Sequence, residues 1–174
     1  MSILFPLFTS LLPCYASGMS ELPSFRQLTQ DDCDILEKAL PEPGDVDFQT
    51  KLSRQTPTGY GLYGLFLYDQ LIGIGQIRRQ GPNDPKAASH SSYPEIGNIY
   101  IVPGMRRRGY AHLLIKHLEA ILRGENYVLV GLAVGDDNTA ALSLYKKLGY
   151  HKLVSIGTKP PHGTVDRHYL QKEL

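Results

Sequence analysis

The sequence contains no tryptophan and only two cysteines among its 174 residues. Cys14 and Cys33 do not provide the disulfide framework that stabilises small secreted domains. Neither these cysteines nor the six histidines show the spacing typical of metal ligands. We therefore expect a protein of a reducing compartment, the cytoplasm, with no metal site.

The chain also lacks an excess of either charge, with 18 basic residues, 17 acidic residues and a formal net charge of +1. A dedicated nucleic-acid-binding protein normally has a clear basic excess. We therefore expect no nucleic-acid partner, and any affinity for anions must be local. The length and the hydrophobic content of 42% suit one globular domain with a substantial core.

No hydrophobic run is long enough to span a membrane as a helix, so we expect no membrane partner. Residues 3–12 are strongly apolar, but Pro6 interrupts them and no basic residue precedes them, as a secretory signal would require. We interpret residues 1–19 as a disordered extension or as sequence upstream of the true start at Met19. A weak signal, with a small-residue cleavage site at 15–17, or a membrane-surface anchor is the alternative.

Residues 95–124 are the most informative stretch, because a strand pattern and an amphipathic helix pattern flank a short basic turn. Backbone N–H groups at a helix N-terminus, together with the helix dipole, favour a bound anion, and a glycine allows its close approach. We therefore predict a phosphate site in this turn, while a solvated patch or an RNA contact is the alternative for its arginines. The turn consists of Arg106, Arg107, Arg108, Gly109, Tyr110 and Ala111.

A second helix pattern follows a strand-like run at residues 127–134. Asn138, Ala141 and Tyr145 are spaced so that they share one face of this helix over two turns. Polar residues before the helix suit an N-cap, and Leu148-Gly149 suits its end. By periodicity alone, Tyr145 is a core residue whose hydroxyl lies at the rim.

The rest of the chain alternates further strand and helix patterns, and we expect residues 20–174 to form a single α/β domain. A helix follows Thr29. Residues 41–61 are either a lid over an acceptor pocket or a connection packed against the sheet edge, and residues 80–93 form a loop that projects into solvent. Strands are predicted at 25–28, at 62–68 and 71–78 as a hairpin joined at Asp69-Gln70, at 150–156 and at 165–172.

The two motifs together resemble the GNAT superfamily of N-acetyltransferases. They are Arg106-x-x-Gly109-x-Ala111 after an apolar strand and Asn138-x-x-Ala141-x-x-Leu144-Tyr145-x-x-x-Gly149-Tyr150 downstream. The resemblance covers about the C-terminal half of the chain. It implies an α/β (α+β) fold, with a mixed, mostly antiparallel central sheet, a parallel and splayed strand pair, and flanking helices. It also implies an enzyme that transfers acetyl from acetyl-CoA to a primary amine of a small molecule or a protein.

The same resemblance implies roles for individual residues. Tyr145 would donate a proton to the leaving CoA thiolate, and Glu95 would be the general base for the amine, unless it only caps a strand end or faces solvent. The turn would bind the CoA pyrophosphate, and the strand before it would guide the pantetheine arm and stabilise the oxyanion. The implied cofactor-binding residues are Ile99, Tyr100, Ile101, Val102, Arg106, Arg107, Arg108, Gly109, Tyr110, Ala111, His112, Asn138 and Ala141.

Another class of function stays open at this point, a CoA-binding regulatory or interaction module that has lost catalysis. Tyr145 and the carboxylate at Glu95 favour the enzyme. A homodimer is also compatible with the sequence, which contains no signal for the oligomeric state. The acceptor-facing segments at 41–61, 80–93 and 156–166 contain no specificity signal.

Overall fold

The computed structural model describes residues 22–40, 47–157 and 166–174. The predicted N-terminal extension therefore lies outside the described residues, as do the first part of the 41–61 segment and most of the 156–166 loop.

A single sheet forms the centre of the described structure. Its strand order is β1-β2-β3-β4-β5-β7-β6, and all neighbours are antiparallel except β4 and β5, which are parallel. This arrangement confirms the predicted mixed, mostly antiparallel sheet. The strands are β1 Ser24–Gln27, β2 Tyr60–Leu67, β3 Gln70–Arg78, β4 Glu95–Ile101, β5 Leu129–Gly135, β6 His151–Ser155 and β7 Arg167–Glu173.

Helices cover both faces of this sheet. They are α1 Cys33–Ala39, α2 Phe48–Ser53, α3 Pro85–Ala88, α4 Tyr110–Gly124 and α5 Thr139–Lys147. Helix α4 buries Leu114, Leu118 and Leu122, spaced four residues apart, in the core on one face. On the other face α1 and α2 pack on β2 and β3, where Phe48 and Leu52 are buried. Residues 47–53 therefore match the predicted connection packed on the sheet rather than an open lid.

The hairpin of β2 and β3 turns one residue earlier than predicted. Leu67 pairs with Gln70, so the turn consists of Tyr68 and Asp69, which both have a positive φ. A two-residue turn of this conformation matches the twist of the two strands. Aspartate tolerates the left-handed region better than most residues, which explains its position in the turn.

The segment at 80–93 is largely exposed, as predicted, but it contains the short helix α3 and packs in part on the protein. Asp84 caps α3 by accepting hydrogen bonds from the N–H groups of Lys86 and Ala87, and Pro85 occupies the first helical position. Ala87 and Ser91 are buried. The Asp-Pro pair is a helix-start signal that the polar composition of the segment obscured.

Strands β4 and β5 separate soon after they begin. Glu95 and Gly131 form the registered pair, and the N–H of Gly131 donates to the carbonyl of Pro94 at 2.9 Å. Farther along β4, a bulge places Asn98 and Ile99 opposite Gly75, and Asn98 has a φ of 49°. The predicted splayed pair is therefore present, and it opens toward the N-terminus of α4.

Candidate active site

A cavity of about 740 Å³ lies where β4 and β5 separate. Its walls come from the end of β4, the basic turn, the start of α4 and one face of α5. Both sequence motifs thus face the same cavity. The predicted residues that line it are Ile99, Tyr100, Ile101, Arg106, Arg107, Gly109, Tyr110, Ala111, His112, Asn138, Ala141 and Tyr145.

The N-terminus of α4 has the features of an anion site. Its N-cap is Gly109, which has a φ of 86°, so no side chain caps the helix, and its first turn contains no acidic residue. Within the described residues, the N–H groups of this turn therefore have no side-chain acceptor, and they lie at the cavity with the positive end of the helix dipole. A Cβ at Gly109 would meet no atom of the protein within 4 Å, so the glycine is required by its φ rather than by packing.

The three arginines of the turn differ in their contacts. Arg106 donates from Nε to the carbonyl of Ile101 at 2.8 Å, and its guanidinium carbon lies 5.2 Å from the centre of the Tyr100 ring. Arg106 therefore ties the turn to the end of β4. Arg107 lines the cavity, whereas Arg108 is exposed beside the sulfur of Met105 and is not among the lining residues.

The backbone of β4 divides its polar groups between β3 and the cavity. The N–H of Val102 donates to the carbonyl of Ile72 at 3.0 Å, so it is not free to stabilise an oxyanion. Because successive N–H groups of a strand point in opposite directions, those of Ile99 and Ile101 are turned away from β3. The side-chain contact of Arg106 to the carbonyl of Ile101 agrees with this orientation.

Helix α5 contributes more of the wall than was predicted. The side chain of Asn138 accepts the N–H of Ala141 at 3.1 Å, which accounts for an asparagine at the N-cap. The helical period that aligns Asn138, Ala141 and Tyr145 also brings neighbouring positions to the cavity. The lining residues that the sequence interpretation missed are Met105, Ala140, Ser143, Leu144 and Lys147.

Tyr145 lies at the inner wall and is only 8% exposed. Its ring packs edge-to-face against Tyr150, with the ring centres 5.8 Å apart. Burial raises the pKa of Tyr145 to about 12. The hydroxyl therefore keeps its proton at any pH near neutrality and can act as a hydrogen-bond donor.

Glu95 lies at the start of β4, outside the residues that line the cavity. Its side chain is 12% exposed, and Oε1 accepts a hydrogen bond from Nη1 of Arg78 at 2.9 Å. The alternative of a solvent-facing Glu95 is therefore wrong. Burial raises the pKa of this carboxyl group, and the charge of Arg78 opposes that shift.

Two further structural findings concern the described residues alone. None of their helices has the length and apolar character needed to cross a membrane. Among these residues, no three histidine, cysteine, aspartate or glutamate side chains are grouped closely enough to hold a metal ion.

The fold defines a class of protein in which a parallel strand pair separates in front of the uncapped N-terminus of a helix. Residues 23–150 match the model of the acetyltransferase (GNAT) family. The chain therefore belongs to the GNAT acetyltransferase family, which confirms the resemblance seen in the sequence. Family membership supports acetyl transfer as its general activity.

Solved structures share this fold. The ribosomal-protein-S18-alanine N-acetyltransferase of Escherichia coli has a TM-score of 0.68 at 18% identity, covering 87% of this chain and 94% of that one. NAA60 of Arabidopsis thaliana, in complex with a bisubstrate analogue, has a TM-score of 0.67 at 17% identity, with coverages of 87% and 98%. PaiA N-acetyltransferase of Thermoplasma acidophilum, in complex with coenzyme A, has a TM-score of 0.63 at 16% identity, with coverages of 88% and 100%. No curated protein sequence matches the chain significantly.

Proposed function

We propose that the protein transfers an acetyl group from acetyl-CoA to a primary amine by direct attack in a ternary complex. The observation that carries this proposal is the cavity at the separation of β4 and β5, which is lined by both the uncapped N-terminus of α4 and Tyr145. The solved relatives bound to coenzyme A and to a bisubstrate analogue support the same pair of substrates.

The residues present suit acetyl-CoA as the cosubstrate. The first turn of α4 would hold its phosphates through backbone N–H groups, and the positive charge of Arg107 at the cavity would add to the attraction. The N–H groups of Ile99 and Ile101 would bind the pantetheine arm, which needs hydrogen bonds along its length. No acidic side chain of the described residues lines the cavity, so none of them opposes an anionic ligand there.

In the reaction, the amine nitrogen forms a bond to the acetyl carbon while the bond from that carbon to sulfur breaks. The N–H groups of Ile99 and Ile101 are the candidates to stabilise negative charge on the acetyl oxygen. Tyr145 would donate to the leaving sulfur, and Glu95 would accept the proton that the amine loses. Because burial raises the pKa of Glu95, its carboxylate is a stronger base than an exposed one.

Release of the CoA thiol, measured with a panel of amines, tests this proposal. We expect turnover with at least one class of amine, and a loss of roughly a hundredfold in kcat for Tyr145→Phe with little change in acetyl-CoA affinity. Turnover of the variant at the wild-type rate across the pH range would remove the assigned role of Tyr145. Tight calorimetric binding of acetyl-CoA without transfer to any amine would instead favour the catalytically silent module.

The pH dependence of kcat gives a further check on the proposed role of Tyr145 as a proton donor. Because burial raises its pKa to about 12, we expect no loss of kcat between pH 8 and pH 10 once the acceptor amine is deprotonated. A tyrosine with an ordinary pKa of about 10 would lose roughly half of its donor form by pH 10. A decline of that size in the wild type, absent from Tyr145→Phe, would contradict this expectation.

A further inference from the structure

Three polar or charged positions are aligned across the sheet on the face opposite α4. Tyr60 pairs with Arg78, Arg78 pairs with Glu95, and Glu95 pairs with Gly131. Directly paired residues share a face, and neighbouring strands lie about 4.8 Å apart. Their chain neighbours Ile77, Ile96 and Val130 are buried in the core under α4, so this row faces the other way.

Tyr169 of β7 completes the row beyond Glu95. Its ring and hydroxyl lie so close to Gly131 that a Cβ at that position would overlap them. The absence of a side chain at Gly131 therefore lets the phenol lie over β5, next to the strand of Glu95.

The row contains unused hydrogen-bonding capacity in its interior. The hydroxyls of Tyr60 and Tyr169 are both buried and have no hydrogen-bond partner among the described residues, although Ser91 lies near Tyr169. A buried hydroxyl without a partner is less favourable than one that makes a hydrogen bond. Two of them on either side of an ion pair are unusual for a purely structural core.

The ion pair of Arg78 and Glu95 also leaves some of its hydrogen-bonding groups without a partner among the described residues. Arg78 and Glu95 share a single hydrogen bond, from Nη1 to Oε1, while Oε2 makes none within the described parts of the chain. A guanidinium can form two parallel bonds to a carboxylate, so this pair has spare donors and a spare acceptor. Two further charges act on Glu95, the cation of Arg167 and the anion of Asp84, so the cluster is balanced overall.

We propose that this row binds the acceptor, and that the acceptor is a small amino carboxylate. The inference rests on the proposed acetyl transfer. The amine would bind Glu95 and the hydroxyl of Tyr169, while the carboxylate would bind Arg78 and the hydroxyl of Tyr60. Such a ligand replaces the single ion pair of Arg78 with Glu95 by two, one from its amine to Glu95 and one from its carboxylate to Arg78. It also gives the hydroxyls of Tyr60 and Tyr169 a hydrogen-bond partner.

Other amines fit the row less well. A polyamine would bring several positive charges toward Arg78 and Arg167, and a monoamine without a carboxylate would separate Arg78 from Glu95 without offering a new anion. An acceptor with a carboxylate near its amine avoids both costs.

The test compares an amino acid with its carboxamide, for example leucine with leucinamide, by release of the CoA thiol. Because the carboxamide has the lower amine pKa, rates are compared at equal concentrations of free amine. We expect kcat/KM to favour leucine by at least about tenfold, and Arg78→Gln to reduce that preference by roughly ten- to a hundredfold. Any effect of Arg78→Gln on Glu95 changes the rates with leucine and with leucinamide alike, so it cancels in the ratio of their kcat/KM values. Tyr60→Phe should reduce the preference by a smaller factor.

The matched control is Arg79→Gln. Arg79 is the next residue in the chain, but its side chain pairs with Glu125 and with the hydroxyl of Tyr63 on the α4 side. The control should reduce stability and leave the preference for the carboxylate unchanged.

A second readout does not depend on turnover. Leucine and leucinamide are titrated calorimetrically into protein saturated with CoA, and we expect leucine to bind more tightly and to lose that advantage in Arg78→Gln. Equal binding, equal turnover, or a preference that survives Arg78→Gln would overturn the amino carboxylate assignment. If leucine binds selectively but no amine is acetylated, the proposed transfer fails while the binding site stands.

Discussion

Gly109 is the single residue on which the anion site depends most directly. Its positive φ ends the turn in the left-handed region, which an alanine occupies at a cost of about 1 to 2 kcal/mol. The protein leaves open space around the missing Cβ, and Gly109 lines the cavity in which we propose that the phosphates bind. We therefore expect Gly109→Ala to reduce the free energy of unfolding by about 1 kcal/mol and to weaken acetyl-CoA binding at least tenfold, as measured by calorimetry.

Gly104 provides the matched control, because it lies in the same turn region, has open space around its missing Cβ and no positive φ. Gly104→Ala should leave both quantities nearly unchanged. Gly109→Asn separates the backbone strain from the loss of acetyl-CoA binding. Asparagine tolerates the left-handed conformation but still places a side chain in the proposed anion site. Unchanged acetyl-CoA affinity in Gly109→Asn would contradict the assignment of the phosphate site.

Single residues were predictable from the sequence where a local motif fixes their place. Gly109 and Tyr145 belong to such motifs, and both line the cavity. The contacts of Glu95 were not predictable, because its partner Arg78 comes from another strand and the pairing depends on the register of β3 and β4. The sequence likewise does not specify that the N–H of Val102, and not that of Ile101, faces β3, because this also depends on the register of the two strands.

At the scale of elements, Asp32 connects β1 to the start of the first helical segment. Its carboxylate accepts two hydrogen bonds from Arg26, at 2.7 and 2.6 Å, and one from the N–H of Thr29 at 2.7 Å. The hydrogen bond from Arg26 is the main reason why the pKa of Asp32 falls to about 2. Since Arg26 is half exposed, we expect Asp32→Asn to cost about 1 to 2 kcal/mol of unfolding free energy at pH 7.

The lowered pKa gives this prediction a pH dependence. A carboxylate with a lower pKa in the folded state stabilises the protein above its unfolded value of about 3.9, and this contribution disappears as the pH falls toward 2. In urea unfolding, the difference between wild type and Asp32→Asn should therefore be constant above about pH 5 and shrink below pH 4. The exposed neighbour Asp31 is the control, and a pH-independent difference for Asp32→Asn would contradict the assignment.

Elements with a local pattern were predicted closely, and their order in the sheet was not. The strand–turn–helix at β4 and α4 follows from residue periodicity and turn composition, which act over a few residues. The insertion of β7 between β5 and β6 depends on pairings such as Val134 with His168 and Ser155 with His168. Such pairings join residues far apart in the chain, and no local pattern specifies them.

At the scale of the whole molecule, a buried charge cluster joins α4 to the last strand. Glu119 of α4 is fully buried, and both of its oxygens accept from Nζ of Lys172 in β7, at 2.7 and 2.8 Å. Lys116, which is about half exposed, makes a third contact at 3.2 Å. The matched family segment ends at residue 150, so this cluster holds a strand outside that segment against the common core.

Removing Lys172 alone should destabilise the protein more than removing Glu119 and Lys172 together. Lys172→Met leaves the buried carboxylate of Glu119 with the half-exposed Lys116 as its one remaining charged partner among the described residues, and we expect a cost of about 3 kcal/mol in urea unfolding. The double variant Glu119→Leu with Lys172→Met removes both charges from the interior, so its cost should be smaller than that of Lys172→Met alone. Lys116→Met is the control and should cost under about 1 kcal/mol. Additive costs for Glu119→Leu and Lys172→Met, each measured alone and in the double variant, would contradict the assigned interaction of Glu119 with Lys172.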